Sequence, residues 1–233
     1  SYAELSTRYP VSSGEAAYVE AGFKAGWLAT FVGLAVALSG VVSASAVAIG
    51  AASYLHDLIG VSPAILTVSV VGVMGLIAIW GIMQSVVIAA VVTVIEISGL
   101  IFVVFWGFYV AEPLGVDFAE MLPPVAGVHW IGIGAASLLA FFAFVGFEDM
   151  ANVAEEVKDP VRTMPRAILW TLVIATVLYM ATMTAVLVAV PLDALSSTAA
   201  PLALVFNAAP ESVKQAFGVV AVVATVNGVL IQM

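Results

Sequence analysis

Between Lys24 and Asp57 the sequence carries no Asp, Glu, Lys or Arg, and between Asp57 and Glu96 it again carries none. No other feature restricts the fold so severely. A charged residue at the centre of a membrane helix costs about 2.5–3.5 kcal/mol on insertion. A water-soluble helix needs a polar face. About 20 residues cross a hydrocarbon core of about 30 Å. The first stretch therefore holds one long span, near 27–54. The second is too long for one span, and Trp80-Gly81-Ile82-Met83-Gln84-Ser85 divides it into helices near 63–80 and 86–110. Comparable runs place further spans near 130–148, 167–190 and 214–233. Val, Ile and Thr are dense enough to suggest strands, but apolar runs of this length read as helices. The prediction is an all-α integral membrane protein with six transmembrane helices.

Composition excludes the alternatives. Of 233 residues, 64% are hydrophobic and only 9% charged, against roughly 25% charged in an ordinary soluble domain. That leaves too little polar surface for a soluble domain, a disordered region or a coiled coil, and makes the lipid bilayer the first partner. A net charge of −9 excludes nucleic acid as a partner. With no Cys there is no disulfide framework, thiolate nucleophile or Cys-ligated metal. His56 and His129 stand alone, without metal-ligand spacing to an acid or a second His, so neither metal nor cofactor is expected. The chain opens on Ser1 and stops at Met233 inside an apolar run, which reads as a piece of a larger protein.

Basic residues orient the spans. Arg8 and Lys24 precede the first, and Lys158, Arg162 and Arg166 fall between the fourth and fifth. The alternate loops, at 55–62, 111–129 and 191–213, carry neither Lys nor Arg. The positive-inside rule makes the 155–166 loop cytoplasmic. The first span also repeats small residues at Gly40, Ala44, Ala48 and Ala52, a spacing that lets helices approach closely in lipid.

Two acids stand out. Counted from Ser85, Glu96 lies roughly 16 Å along its helix, near the membrane midplane. It is read either as a neutral acid bonded to a neighbouring helix or as a proton site lining a polar cavity. Glu148 ends the fourth span. An unbroken helix leaves it solvated at the cytoplasmic interface. A helix opened around Gly146 brings it to the edge of a central cavity, as in discontinuous transporter helices.

The surrounding sequence favours the opened form. Phe141-Phe142-Ala143-Phe144-Val145-Gly146-Phe147-Glu148, then Ala154-Glu155-Glu156-Val157-Lys158-Asp159-Pro160, then Arg162-Thr163-Met164-Pro165-Arg166 closely resembles the sixth helix and following loop of amino acid permeases of the amino acid–polyamine–organocation superfamily. Tyr2-Ala3-Glu4-Leu5-Ser6-Thr7-Arg8 with Ser13-Gly14-Glu15 resembles the end of the second helix and its loop. Ala200-Pro201-Leu202-Ala203 and Ala224-Thr225-Val226-Asn227-Gly228 resemble the approach to helix eight and helix eight itself. The resemblance implies an inverted-repeat (5+5) transporter fold, incomplete here: the spans would be family helices three to eight, with helix 1 and helices 9–12 absent. It implies that Phe142 is the aromatic gate over bound substrate. It implies that Ala143, Phe144, Val145 and Gly146 form the unwound segment whose backbone meets a zwitterion. It implies coupling at Glu148 and a polar lining position at Asn227, whereas some proton-coupled relatives carry Lys near Glu96, so that Glu96 is a coupling candidate by its own place in the membrane.

The leading reading is thus a secondary active transporter of amino acids or related amines in the plasma membrane, coupled to protons rather than sodium, or an exchanger. Alternatives are a membrane-embedded enzyme or a channel using Glu96 and Glu148. The sequence shows no HExxH, GxSxG or P-loop motif, so an enzyme or ATP-driven pump lacks its machinery. A channel would want rings of charge or a filter loop.

Overall fold

A computed structural model describes residues 1–111, 127–196 and 201–232, and only the backbone of 57–58, 82–84, 127–129 and 142. Glu112, Asp117 and Glu120 of the expected outer loop, and the rings of His129 and Phe142, lie outside the described residues and side chains. Among the described residues every regular element is helical. The helices are α1 (Tyr2–Arg8), α2 (Gly14–Phe23), α3 (Gly26–Ile59), α4 (Pro63–Trp80), α5 (Ile82–Ala111), α6 (Gly127–Phe141), α7 (Pro160–Ala189), α8 (Leu192–Ser196), α9 (Pro201–Leu204) and α10 (Glu211–Ile231). A 3-10 turn, Phe142–Phe144, and a 3-10 helix, Phe147–Glu156, lie between α6 and α7. Helices α3, α4, α5, α7 and α10 are long and apolar enough to cross a membrane, and α6 is a shorter apolar helix.

Local chemistry sets the ends. Pro63 opens α4, where its missing N–H costs nothing. Gly81, at φ 150, separates α4 from α5, and the Ser85 hydroxyl donates to the Ile77 and Gly81 carbonyls at 3.1 and 3.0 Å. The break expected across 80–85 is therefore a single residue wide. The expected 155–166 loop is also shorter, since only Val157, Lys158 and Asp159 lie outside helix. Pro160 starts α7 ahead of residue 167 because proline suits a first helical turn, and the Asp159 carbonyl accepts the N–H groups of Arg162 and Thr163. Within the spans, Ser and Thr hydroxyls return to the carbonyl four residues back, as Ser45 does to Val41 at 2.7 Å and Thr176 to Leu172 at 2.7 Å. Such pairing keeps a hydroxyl satisfied in lipid.

The chain divides into two compact units. The first comprises α1, α2, α3 as far as Val36, α6, the 3-10 segments and α7 as far as Tyr179. Its core is Ala154, Met164 and Ile168, packed with Tyr2, Phe147, Met150 and Leu172. Gly14, at φ 44, lies so close to this core that an added Cβ would stand 2.6 Å from Asn152 Oδ1. The Ser12 N–H donates to Glu155 Oε1 at 3.2 Å, and the Glu155 N–H returns to Ser12 Oγ at 3.4 Å.

The second unit holds the rest of α3 and α7 with α4, α5, α8, α9 and α10. Here α10 packs along α5 and α4. Ala48, Val70 and Val229 form one buried cluster, and Val103, Val186, Val205 and Phe206 belong to another. The small-residue stripe of α3 is buried at Ala44, Ala48 and Ala52. Glycine does the same work on α5: a Cβ at Gly99 would stand 2.6 Å from Val220, and one at Gly107 would stand 2.9 Å from the Ala185 carbonyl oxygen. The outward faces carry Leu, Ile, Val, Phe and Trp, a surface suited to hydrocarbon and unsuited to water.

Candidate functional site

The α-helical run that begins at Gly127 stops at Phe141. Phe142, Ala143 and Phe144 make one 3-10 turn, Val145 and Gly146 form a turn, and two 3-10 pieces that meet at a kink at Val153 follow as far as Glu156. Gly146 adopts φ 118, ψ −17, a conformation that a side chain would oppose. The opening releases backbone polar groups from helical pairing, and two of them find side-chain partners. The Tyr179 hydroxyl, on α7, donates to the Ala143 carbonyl at 2.9 Å, while its ring meets Phe144 edge-on at 5.3 Å. The Gly146 N–H donates to Glu148 Oε2 at 2.9 Å. Ala143 and Val145 are exposed, and Phe144, Gly146 and Glu148 half-buried. Chemically the Ala143 carbonyl keeps a second lone pair that suits an ammonium, whereas the Gly146 amide can meet a carboxylate only when Glu148 releases it. Phe142 takes part through its backbone.

Just past the break lies a group that the sequence reading did not assign. The Tyr2 hydroxyl donates to Glu15 Oε1 at 2.8 Å, and its ring packs edge-on to Phe147 at 5.5 Å. Burial first, then the hydrogen bond to Glu15, pushes the Tyr2 phenol up. Tyr18 is raised by burial and by the Glu15 charge, and its buried hydroxyl has no hydrogen-bond partner among the described residues. Asp149 is pushed up to about 6 by burial, then by the charges of Glu148 and Glu15. The charges of Glu148 and Glu15 thus add to burial in driving Asp149 toward neutrality. Asp149 adjoins one quoted motif and Tyr2 and Glu15 lie within others, none with a role assigned, whereas Tyr179 carries no sequence signal of its own.

In the second unit the structure joins two predicted residues. Asn227 Nδ2, on α10, donates to Glu96 Oε1 at 2.8 Å, with weaker approaches to the Ala89 carbonyl and Thr93 Oγ1 at 3.5 Å. Asn227 is buried, and its Oδ1 has no hydrogen-bond partner among the described residues. Glu96 is half-buried. The intramembrane acid is therefore bonded to a neighbouring helix through a neutral amide and not through a cation.

Comparison with known proteins gives this geometry its setting. The amino acid permease family matches residues 1–233. A vacuolar cationic amino acid transporter of Arabidopsis thaliana is 32% identical over 77% of this chain and 33% of its own length. A branched-chain amino acid permease of Bacillus subtilis is 31% identical over 35% of this chain and 17% of its own length. An uncharacterized transporter of Mycobacterium tuberculosis is 30% identical over 87% of this chain and 44% of its own length. The chain thus spans less than half the length of each of these relatives. A broken α6, apolar spans and a family match from the first residue to the last agree, and the chain belongs to the amino acid permease family.

Proposed function

We propose that this chain belongs to a secondary active transporter that carries amino acids or related amines across a cell membrane. The observation that supports this most directly is the end of the α-helix at Phe141 and the break that follows as far as Phe147, where the Ala143 carbonyl and the Gly146 amide pair with side chains. In this reading Ala143, Phe144, Val145 and Gly146 meet the substrate's charged ends, and Phe142 covers it. Asn227 lines the polar interior beside Glu96. The relatives' names include a cationic and a branched-chain amino acid carrier, so both substrate types belong in the test.

Proton coupling, as symport or with exchange, follows from the acids. Glu148 accepts the Gly146 N–H, so protonating Glu148 weakens its hold on the break. Glu96, bonded to Asn227, serves as a neutral hydrogen-bonding acid. The segment 155–166 is on the cytoplasmic side. In proteoliposomes holding the full-length transporter, an inward proton gradient should drive accumulation of labelled leucine or arginine. A sodium gradient alone should not. Glu148→Gln should flatten the pH dependence of uptake, and Glu96→Gln should largely preserve it. Sodium-driven uptake without a pH response would remove the proton mechanism, and no uptake of any amino acid would remove the transport assignment.

A further inference from the structure

We propose that Tyr179 is a positioning residue for the substrate: its hydroxyl keeps the α6 break open in the empty protein by satisfying the Ala143 carbonyl. The inference rests on the transport reading above for its substrate, though not for its geometry. Tyr179 lies ten residues before the end of α7, about 15 Å from Ala189 at 1.5 Å per residue. That is half the thickness of a hydrocarbon core of about 30 Å. At such depth water is scarce, and a carbonyl freed from its helix must find a donor within the protein. Among the described residues the donor for Ala143 is the Tyr179 phenol at 2.9 Å.

Two contacts fix the phenol in place. The ring meets Phe144 edge-on at 5.3 Å, with the planes at 72°, so the residue after Ala143 holds the ring while Ala143 accepts its hydroxyl. On the other side of the turn Glu148 takes the Gly146 N–H. The break is thus held by two side chains: one local, one from the next helix.

A phenol donates one hydrogen bond, and a carbonyl oxygen accepts two. Ala143 can therefore receive a substrate ammonium while Tyr179 stays bound. The tether pre-sets the geometry of the binding carbonyl, and without it the binding-competent fraction falls. Apparent affinity falls by the same factor. A hydrogen bond of ordinary net strength corresponds to a change of roughly three- to tenfold.

The test is Tyr179→Phe in the full-length transporter in nanodiscs and proteoliposomes. Phenylalanine keeps the ring against Phe144 and removes only the hydroxyl. Two readouts apply. Amide hydrogen exchange of the peptide covering 142–147 should quicken severalfold, with peptides from α10 unchanged. KM for labelled leucine or arginine should rise three- to tenfold while kcat stays within twofold. Unchanged exchange would overturn the tether. Quickened exchange with unchanged or lowered KM would overturn the positioning role, since a lowered KM means that the phenol competes with substrate. If the parent protein moves no amino acid, the transport reading fails, and the exchange measurement still decides the tether.

Discussion

Asp149 is driven toward neutrality with no metal and no substrate involved. Its carboxyl stands at about 6 because burial and the charges of Glu148 and Glu15 oppose ionisation, against an ordinary value of 3.8. The folded state therefore holds this proton more tightly than the unfolded chain does. Below about pH 4 both states are protonated and the fold bears no penalty. As pH rises toward 6 the unfolded chain ionises first, and the fold loses stability until the penalty is complete above 6. Asp149 is half-buried, so solvent screening leaves a penalty of about 1 kcal/mol. Asp149→Asn should raise Tm by roughly 2–4 °C at pH 7.5 and leave it nearly unchanged at pH 4. An equal shift at both values would deny the electrostatic origin. At this scale the sequence is only partly legible. Glu148 and Glu96 stand out because acids are rare in apolar runs. Their partners do not: Asn227 is 131 positions from Glu96, and Tyr179 is 36 from Ala143. Pairing at such separations comes from tertiary packing alone.

Helices are legible to the extent that charge and proline mark their ends. The runs without charge account for α3, α4, α5 and α10. Pro63 and Pro160 mark starts that composition alone places less well, as α7 shows. The 3-10 pieces after Gly146, which meet at a kink at Val153, carry no mark in the sequence, because their residue types suit an α-helix equally. The small-residue spacing points to close helix approach in α3, yet two glycines of α5, Gly99 and Gly107, approach their neighbours closely as well. Gly107 tests that point. An added methyl would stand 2.9 Å from both the Ala185 Cβ and its carbonyl oxygen, so α5 and α7 must separate to admit it. Gly72, on α4, has open space around its Cβ position. Gly107→Ala should therefore lower Tm by several degrees in detergent, whereas Gly72→Ala should be neutral or slightly stabilising, since Ala favours helix by about 1 kcal/mol. Equal behaviour of the two variants would contradict the packing described.

For the molecule as a whole, solvent preference is the property that composition conveys most fully. An exterior of Leu, Ile, Val and Phe follows from 64% hydrophobic residues distributed over helices with few charges. Val42, near the middle of α3, has 62% of its surface exposed. On a soluble protein an exposed Val→Arg change is nearly free. In α3, Val42→Arg should cost about 2.5–3.5 kcal/mol of insertion free energy, readable as a fall in the inserted fraction in a translocon glycosylation assay. Unaltered insertion would count against a lipid-facing α3. The division into two units is not legible, because α3 and α7 each contribute to both and their sequences do not change character at Val36 or Tyr179.

The segment that follows the break is bent within itself. Phe147–Glu156 consists of two short 3-10 pieces that meet at Val153, whose φ of −110 and ψ of 15 lie outside helical geometry. Its near end is the turn that bears Gly146, and its far end is the anchor that Ser12 makes with Glu155. With no continuous helical ladder through Val153, strain applied at one end is not carried rigidly to the other, as a knuckle interrupts a shaft.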